Sequence, residues 1–103
     1  MSISKQTSRK TRQSAFTGDK QVTGTLDATT TTEIIQLSVV AQKVTVQGLG
    51  TLVGTFEVSA NGNDFVAGGS VAVASLNSYS ANLVVAVKVI RSAGSGKAVV
   101  LAA

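Results

Sequence analysis

Two short stretches, KVTVQ (Lys43–Gln47) and GTFEVSA (Gly54–Ala60), alternate apolar and polar residues with a period of two. An extended chain turns successive side chains to opposite faces. This spacing therefore puts Val44 with Val46, and Phe56 with Val58, on a buried side. No window shows helical spacing with caps. Turn residues recur between the alternating runs at intervals of about 8–12 residues. The chain is expected to be all-β: an antiparallel β-sandwich or jelly-roll-like small barrel of about six to eight strands, with an extended N-terminal arm.

The expected strands follow the same grammar. QVTGTL (Gln21–Leu26) is short and rich in Thr and Val, and ATTTT (Ala28–Thr32) separates it from EIIQLSVV (Glu33–Val40). Between GTFEVSA and Phe65–Val66 lies NGND (Asn61–Asp64), whose Asn and Gly tolerate positive φ and signal a hairpin connection. SVAVASL (Ser70–Leu76) reads as a further strand, NLVVAVKVIRS (Asn82–Ser92) as the longest, and KAVVLAA as the last, after an AGSG turn (Ala93–Gly96).

Charge divides the chain in two. Residues 1–20 hold Lys5, Arg9, Lys10, Arg12 and Lys20 against Asp19, whereas residues 21–103 balance four basic residues with four acidic ones. The whole +4 excess thus sits in a polar leader, and the basic isoelectric point describes a tail rather than a basic domain. The expected organisation is a basic arm over 1–20 and one β-domain over 21–103. Within SAFTG, Phe16 is a single large apolar side chain in a polar stretch and reads as an anchor. Arg9, Lys10, Arg12, Phe16 and Lys20 are accordingly the candidate partner-binding residues. The partner is a neighbouring protein subunit or, alternatively, nucleic acid, bound through salt-sensitive phosphate contacts.

The residue inventory argues against catalysis. Histidine and cysteine are absent, and the five acids, Asp19, Asp27, Glu33, Glu57 and Asp64, lie apart in sequence. Acid–base and nucleophilic chemistry at neutral pH leans on those missing side chains or on paired carboxylates. No enzymatic activity, cofactor, metal or small-molecule substrate is expected. No apolar run approaches the roughly 20 residues of a bilayer span, and no membrane partner is expected.

Three motifs dissolve on inspection. RSAGSGKAVV (Arg91–Val100) has Arg91 where a phosphate loop needs Gly, and Ala98 where it needs Ser or Thr. It is expected to be a hairpin turn leading into a strand. GLGTLVG (Gly48–Gly54) lacks the following helix of a dinucleotide fold and reads as glycine at a strand end. Asn61, Asn63 and Asp64 carry oxygen ligands, but the twelve-residue calcium loop is missing, which leaves turn chemistry.

The expected core is Phe56, Val58, Phe65, Val85, Val87 and Val89. A domain of about 80 residues buries only about 60–65% of its unfolded surface, and help from association is expected. Alternation places Val84 and Ile90 on the Lys88 face of the long strand and gives the last strand two apolar faces. Val84, Ile90 and Val100 are therefore the candidate interface residues of a homo-oligomer.

TFEVSANGNDFV (Thr55–Val66), followed by SANLVVAVKVIRSAGSGKAVVLAA (Ser80–Ala103), resembles a family of small β-sandwich virion proteins of tailed bacteriophages. The shared pattern is a strand ending in S-x-[ND]-G, an aromatic two or three residues later, a V-x-V strand, a Gly/Ser turn and a V-x-L strand. Here it falls on Ser59, Asn61, Gly62, Phe65, Val87, Val89, Gly94, Gly96, Val99 and Leu101, with Phe65 where tryptophan is usual. The resemblance covers about the last fifty residues and carries no catalytic signature. It implies a capsid decoration (cement) protein or minor virion component, made in the host cytoplasm and repeated on a lattice. Its arm would be docked on neighbouring capsid subunits. Two alternatives stand beside it: a nucleic-acid-binding structural protein using the basic arm, and a carbohydrate-binding module of a tail fibre using Asn61, Asn63, Asp64 and Tyr79.

Overall fold

The computed structural model describes residues 18–103. Six strands form in chain order: β1 (Asp19–Val22), β2 (Thr32–Gly48), β3 (Val53–Ser59), β4 (Val66–Val71), β5 (Asn77–Ala93) and β6 (Ala98–Ala102). They hydrogen-bond as one antiparallel sheet in the order β1-β6-β2-β5-β3-β4, with no helix among the described residues. The all-β expectation holds, at six strands. The outer strands are β1 and β4.

The two long strands organise everything else. β2 and β5 each run 17 residues. The first half of β2 pairs with the second half of β5, Thr32↔Ile90 to Gln36↔Ala86, and β3 lies along the other side of that half of β5. The second half of β2 pairs with the first half of β5, Lys43↔Ser80 to Val46↔Asn77, and β6 lies along the other side of β2 there. One core joins the two halves, with Phe56 and Val71 from one and Val44, Val46 and Val100 from the other. The Gly48 amide at the end of β2 donates to the Ala72 carbonyl just past β4 (3.1 Å), closing one end of that core.

EIIQLSVV and KVTVQ, expected as separate strands, are one. The apolar parity changes between them, with Ile35 and Ala41 buried on odd numbers and Val44 and Val46 on even ones. A β-bulge reconciles the two phases. Gln42 and Lys43 are both exposed, and both amides donate to the Ala103 carbonyl, at 2.9 and 3.2 Å. One extra residue turns the rest of the strand over without ending it.

Other expectations need correction. SVAVASL is not a strand: β4 takes in Gly68 and Gly69 and ends at Val71, and Ala72 then bridges Ser75 in a tight turn. AGSG is not a hairpin turn. β5 and β6 lie on opposite sides of β2, so this segment crosses between them. Among the described residues the sheet begins at Asp19, inside the segment assigned to the arm, and Lys20 sits exposed on β1 opposite Leu101. NGND does connect an antiparallel pair, β3 and β4.

Two polar devices close loops near the core. Buried Thr23 accepts the Ala98 amide on its hydroxyl (2.9 Å) and donates to the Gly24 carbonyl (2.7 Å), so its burial leaves the hydroxyl paired. Asp27 holds the turn before β2 by accepting the Thr29 and Thr30 amides, each at 2.8 Å. Those bonds, the Thr30 amide first, favour the ionised carboxylate and lower its pKa. A pKa depressed by folding contributes stability that is present above the unfolded value of about 3.9 and is lost as pH falls through the folded value. The urea midpoint is thus expected to decline below about pH 4. Asp27→Asn should flatten part of that decline, and an unchanged acid limb in the variant would remove the turn's role.

Candidate binding groove

Beyond Ser59, β3 leaves β5, whose first half continues as Tyr79, Ala81 and Leu83. The mouth between them is a groove of about 280 Å³ lined by Val58, Ser59, Ala60, Asn61, Asp64, Val66, Tyr79, Ala81 and Leu83. Its walls come from three strands: the end of β3, the start of β4, and β5. Tyr79 and Ala81 are partly buried against the core, whereas Val66 and Leu83 are exposed at 56% and 42%.

The rim is the β3–β4 connection, and it is built from side-chain hydrogen bonds. Ser59, 2% exposed, accepts the Asn61 and Gly62 amides on its hydroxyl, at 3.2 and 2.8 Å. Asn61 Oδ1 accepts the amides of Asn63 (2.8 Å) and Asp64 (2.9 Å), and Asn61 Nδ2 donates to Asp64 Oδ2 (2.8 Å). Gly62 completes the turn at φ 87°, a conformation that disfavours other residues. The S-x-N-G pattern is thus a folded cap whose polar atoms mostly satisfy one another. Among the described residues no group of three or more acidic, His or Cys side chains converges to hold a metal.

The sequence candidates scatter. Arg9, Lys10, Arg12 and Phe16 lie outside the described residues. Val84 and Val100, expected to be available to a partner, are fully buried in the chain's own core. The reason is the strand phase: β6 turns Ala98, Val100 and Ala102 inward and leaves Leu101 exposed. On β5 the adjacent Ala86 and Val87 are both fully buried, so simple alternation fails there. Ile90 is half-buried, opposite Thr32 and Thr55. Phe65, expected in the core, is half-buried instead, with Lys88 Nζ 4.7 Å from its ring centroid. Lys88 also pairs with Glu57 at 3.6 Å, directly across strands. Both ends are partly solvated, so the pair contributes little to stability.

Of the polar candidates, the fold brings Asn61, Asp64 and Tyr79 to the one groove, while Asn63 is not among its lining residues. The apolar wall of Val58, Val66, Ala81 and Leu83 was not legible as a site. Its residues come from three strands whose pairing no local pattern declares.

No family model, curated protein or solved structure matches this chain.

Proposed function

We propose that this is a non-enzymatic structural protein of a virion, a capsid decoration or minor component, which assembles through its β-domain. The observation that supports this reading is the distribution of exposed large apolar side chains. Val40, Leu76 and Val66 are 65%, 64% and 56% exposed, and Ile34, Val22, Val53 and Val73 each exceed 40%. Single exposed apolars are ordinary. Here they recur on β1, the first half of β2, β3, β4 and the turn after β4, as in a subunit that meets several neighbours. The basic leader serves as the tether in this reading.

The test is capture of the purified full chain by capsids of a tailed phage stripped of their decoration protein. Duplex DNA serves as a competing ligand in a salt series. Retention on capsids at moderate salt supports the reading. Binding to DNA alone, falling steeply with salt, supports the nucleic-acid alternative instead.

A second reading draws on the groove, where Tyr79 and Asp64 share one mouth. An aromatic face beside a carboxylate suits a sugar ring, which has an apolar C–H face and hydroxyl edges. On this reading Tyr79→Ala is expected to abolish retention on immobilised oligosaccharides and leave assembly untouched. Equal retention by the variant would remove it.

A further inference from the structure

Of the four asparagines in the chain, only Asn61 precedes a glycine. Asparagine is a labile side chain, and least durable in this pairing, because Gly62 has no side chain to keep its backbone nitrogen from the Asn61 carboxamide. The Gly62 nitrogen, once its proton is lost to solvent base, attacks the Asn61 side-chain carbonyl carbon and closes a cyclic succinimide. The bond from that carbon to Asn61 Nδ2 breaks, and ammonia leaves with a proton taken from solvent. Water then opens the ring to aspartate or isoaspartate. The whole sequence is a hydrolysis and needs no other reagent.

The rim holds both reacting groups off that course. The Gly62 amide points its hydrogen at Ser59 Oγ (2.8 Å). The Asn61 carboxamide is held at both of its polar atoms. Its oxygen accepts the Ser59 hydroxyl (3.1 Å) and the Asn63 and Asp64 amides (2.8 and 2.9 Å), and its nitrogen donates to Asp64 Oδ2 (2.8 Å). Ser59 joins the two sets, since its hydroxyl bonds the Gly62 amide and the Asn61 carboxamide alike. Turning the carboxamide carbon onto the Gly62 nitrogen requires these bonds to be given up together. The reaction therefore waits on local opening of the rim.

We infer that Asn61–Gly62 is a modification site locked by the fold, which stays intact while the rim is closed and deamidates when the rim opens. The same geometry keeps a modified rim from closing again. Aspartate at 61 turns a second carboxylate oxygen toward Asp64, where the donor and acceptor now stand 2.8 Å apart, and two carboxylates at that distance repel. Isoaspartate adds a methylene to the backbone of a turn whose amides are held at fixed spacing. Asn61 and Asp64 both line the groove, so either product also adds a negative charge at its mouth. The site records whether a chain has opened, and it alters the groove in those that have.

The test follows the full-length chain in warm, mildly alkaline buffer by peptide mass spectrometry, with Asn63 on the same loop as internal reference. Native wild type is expected to retain Asn61, whereas the same chain in urea loses it first among its asparagines. Ser59→Ala removes the hydroxyl that bonds both reacting groups, and should speed the loss of Asn61 in the folded chain about tenfold or more. Asp64→Ala takes away only the exposed bond to the carboxamide nitrogen. It carries the same test, at about fivefold, should the serine variant not fold. Equal loss of Asn61 in native and urea-unfolded wild type overturns the lock, as do wild-type rates in both variants. The opening has its own readout. Tyr79 is the chain's only tyrosine and there is no tryptophan, so tyrosine emission reports on the groove. Asn61→Asp is expected to increase collisional quenching of Tyr79. Asn63→Asp, which adds the same charge to the same loop outside the groove lining, should leave it unchanged. Equal quenching in these two variants overturns the claim that modification opens the rim.

Discussion

Phe56→Ala is expected to destabilise the domain by about 3–5 kcal/mol, the cost of removing a large ring from a core that cannot collapse around the gap. Phe56 is fully buried and is the largest such side chain among the described residues. Its ring lies against β4, where a Cβ on Gly68 would come within 2.5 Å of ring atom Cε2 and one on Gly69 within 3.0 Å of Cε1. The two glycines are the hollow into which the ring fits, and the rest of the core is mostly valine and alanine, with little to move inward. A domain of this size has a total stability on the order of 5–15 kcal/mol, so the variant sits near the threshold of folding. Urea unfolding of wild type and variant checks this directly. A shift below about 1 kcal/mol would mean that the ring is not the keystone the packing indicates. The hollow makes a companion prediction. Gly68→Ala should destabilise the wild type but cost less beside Phe56→Leu, because the smaller side chain vacates the space the new methyl needs.

Gly94→Ala is the second large effect, expected at about 3 kcal/mol or more, from backbone rather than core. Gly94 has φ 69°, and a Cβ there would run into the carbonyl oxygen of Thr51. Two segments meet edge to edge at this point. The Thr51 amide donates to Ser95 (2.9 Å), the Leu49 amide to Lys97 (2.7 Å), and the Ser95 amide to the Thr51 hydroxyl (3.0 Å). The Gly94 carbonyl in turn accepts from Arg91 Nε (2.6 Å). A methyl at Gly94 forces these segments apart just where the chain crosses from β5 to β6, and so disturbs both halves of the sheet. Thermal unfolding of Gly94→Ala against Ala93→Gly, an exposed neighbour in the same segment, separates strain from general loosening. Equal melting shifts for the two would refute the steric account.

These two sites show how far the amino-acid order could be read. Alternation announced Phe56, Val58, Val44 and Val46 as core, because a strand with one dry face leaves a period of two whatever its neighbours are. It did not announce Leu26 or Leu52, which are fully buried from outside the six strands, since a loop leucine carries no periodic signal. It misplaced Phe65 beside Lys88 for the opposite reason: an aromatic after a turn looks like a core anchor until the pairing of β3, β4 and β5 is known. The Gly/Ser segment 93–96 was legible as a turn but not as a crossover. Which strands a turn connects is decided by long-range pairing, here by β2 lying between β5 and β6. The bulge at Gln42–Lys43 shows in sequence only as a change of apolar phase, which reads equally well as a break between strands. The groove followed the same rule. Its rim, S-x-N-G, is local and visible, whereas its walls come together only through topology. Val84 and Val100 were expected outside because both faces of their strands are apolar. The fold uses those faces for its own core and leaves apolar surface on Ile34 and Val40 instead.

The account stands on the claim that this sheet does not work as a single copy. Sedimentation velocity of the full wild-type chain, from about 1 to 200 µM in moderate salt, tests it most directly, since self-association is governed by mass action. A sedimentation coefficient that climbs with concentration from the monomer value toward that of an oligomer is the predicted result. A concentration-independent monomer across the whole range would contradict it.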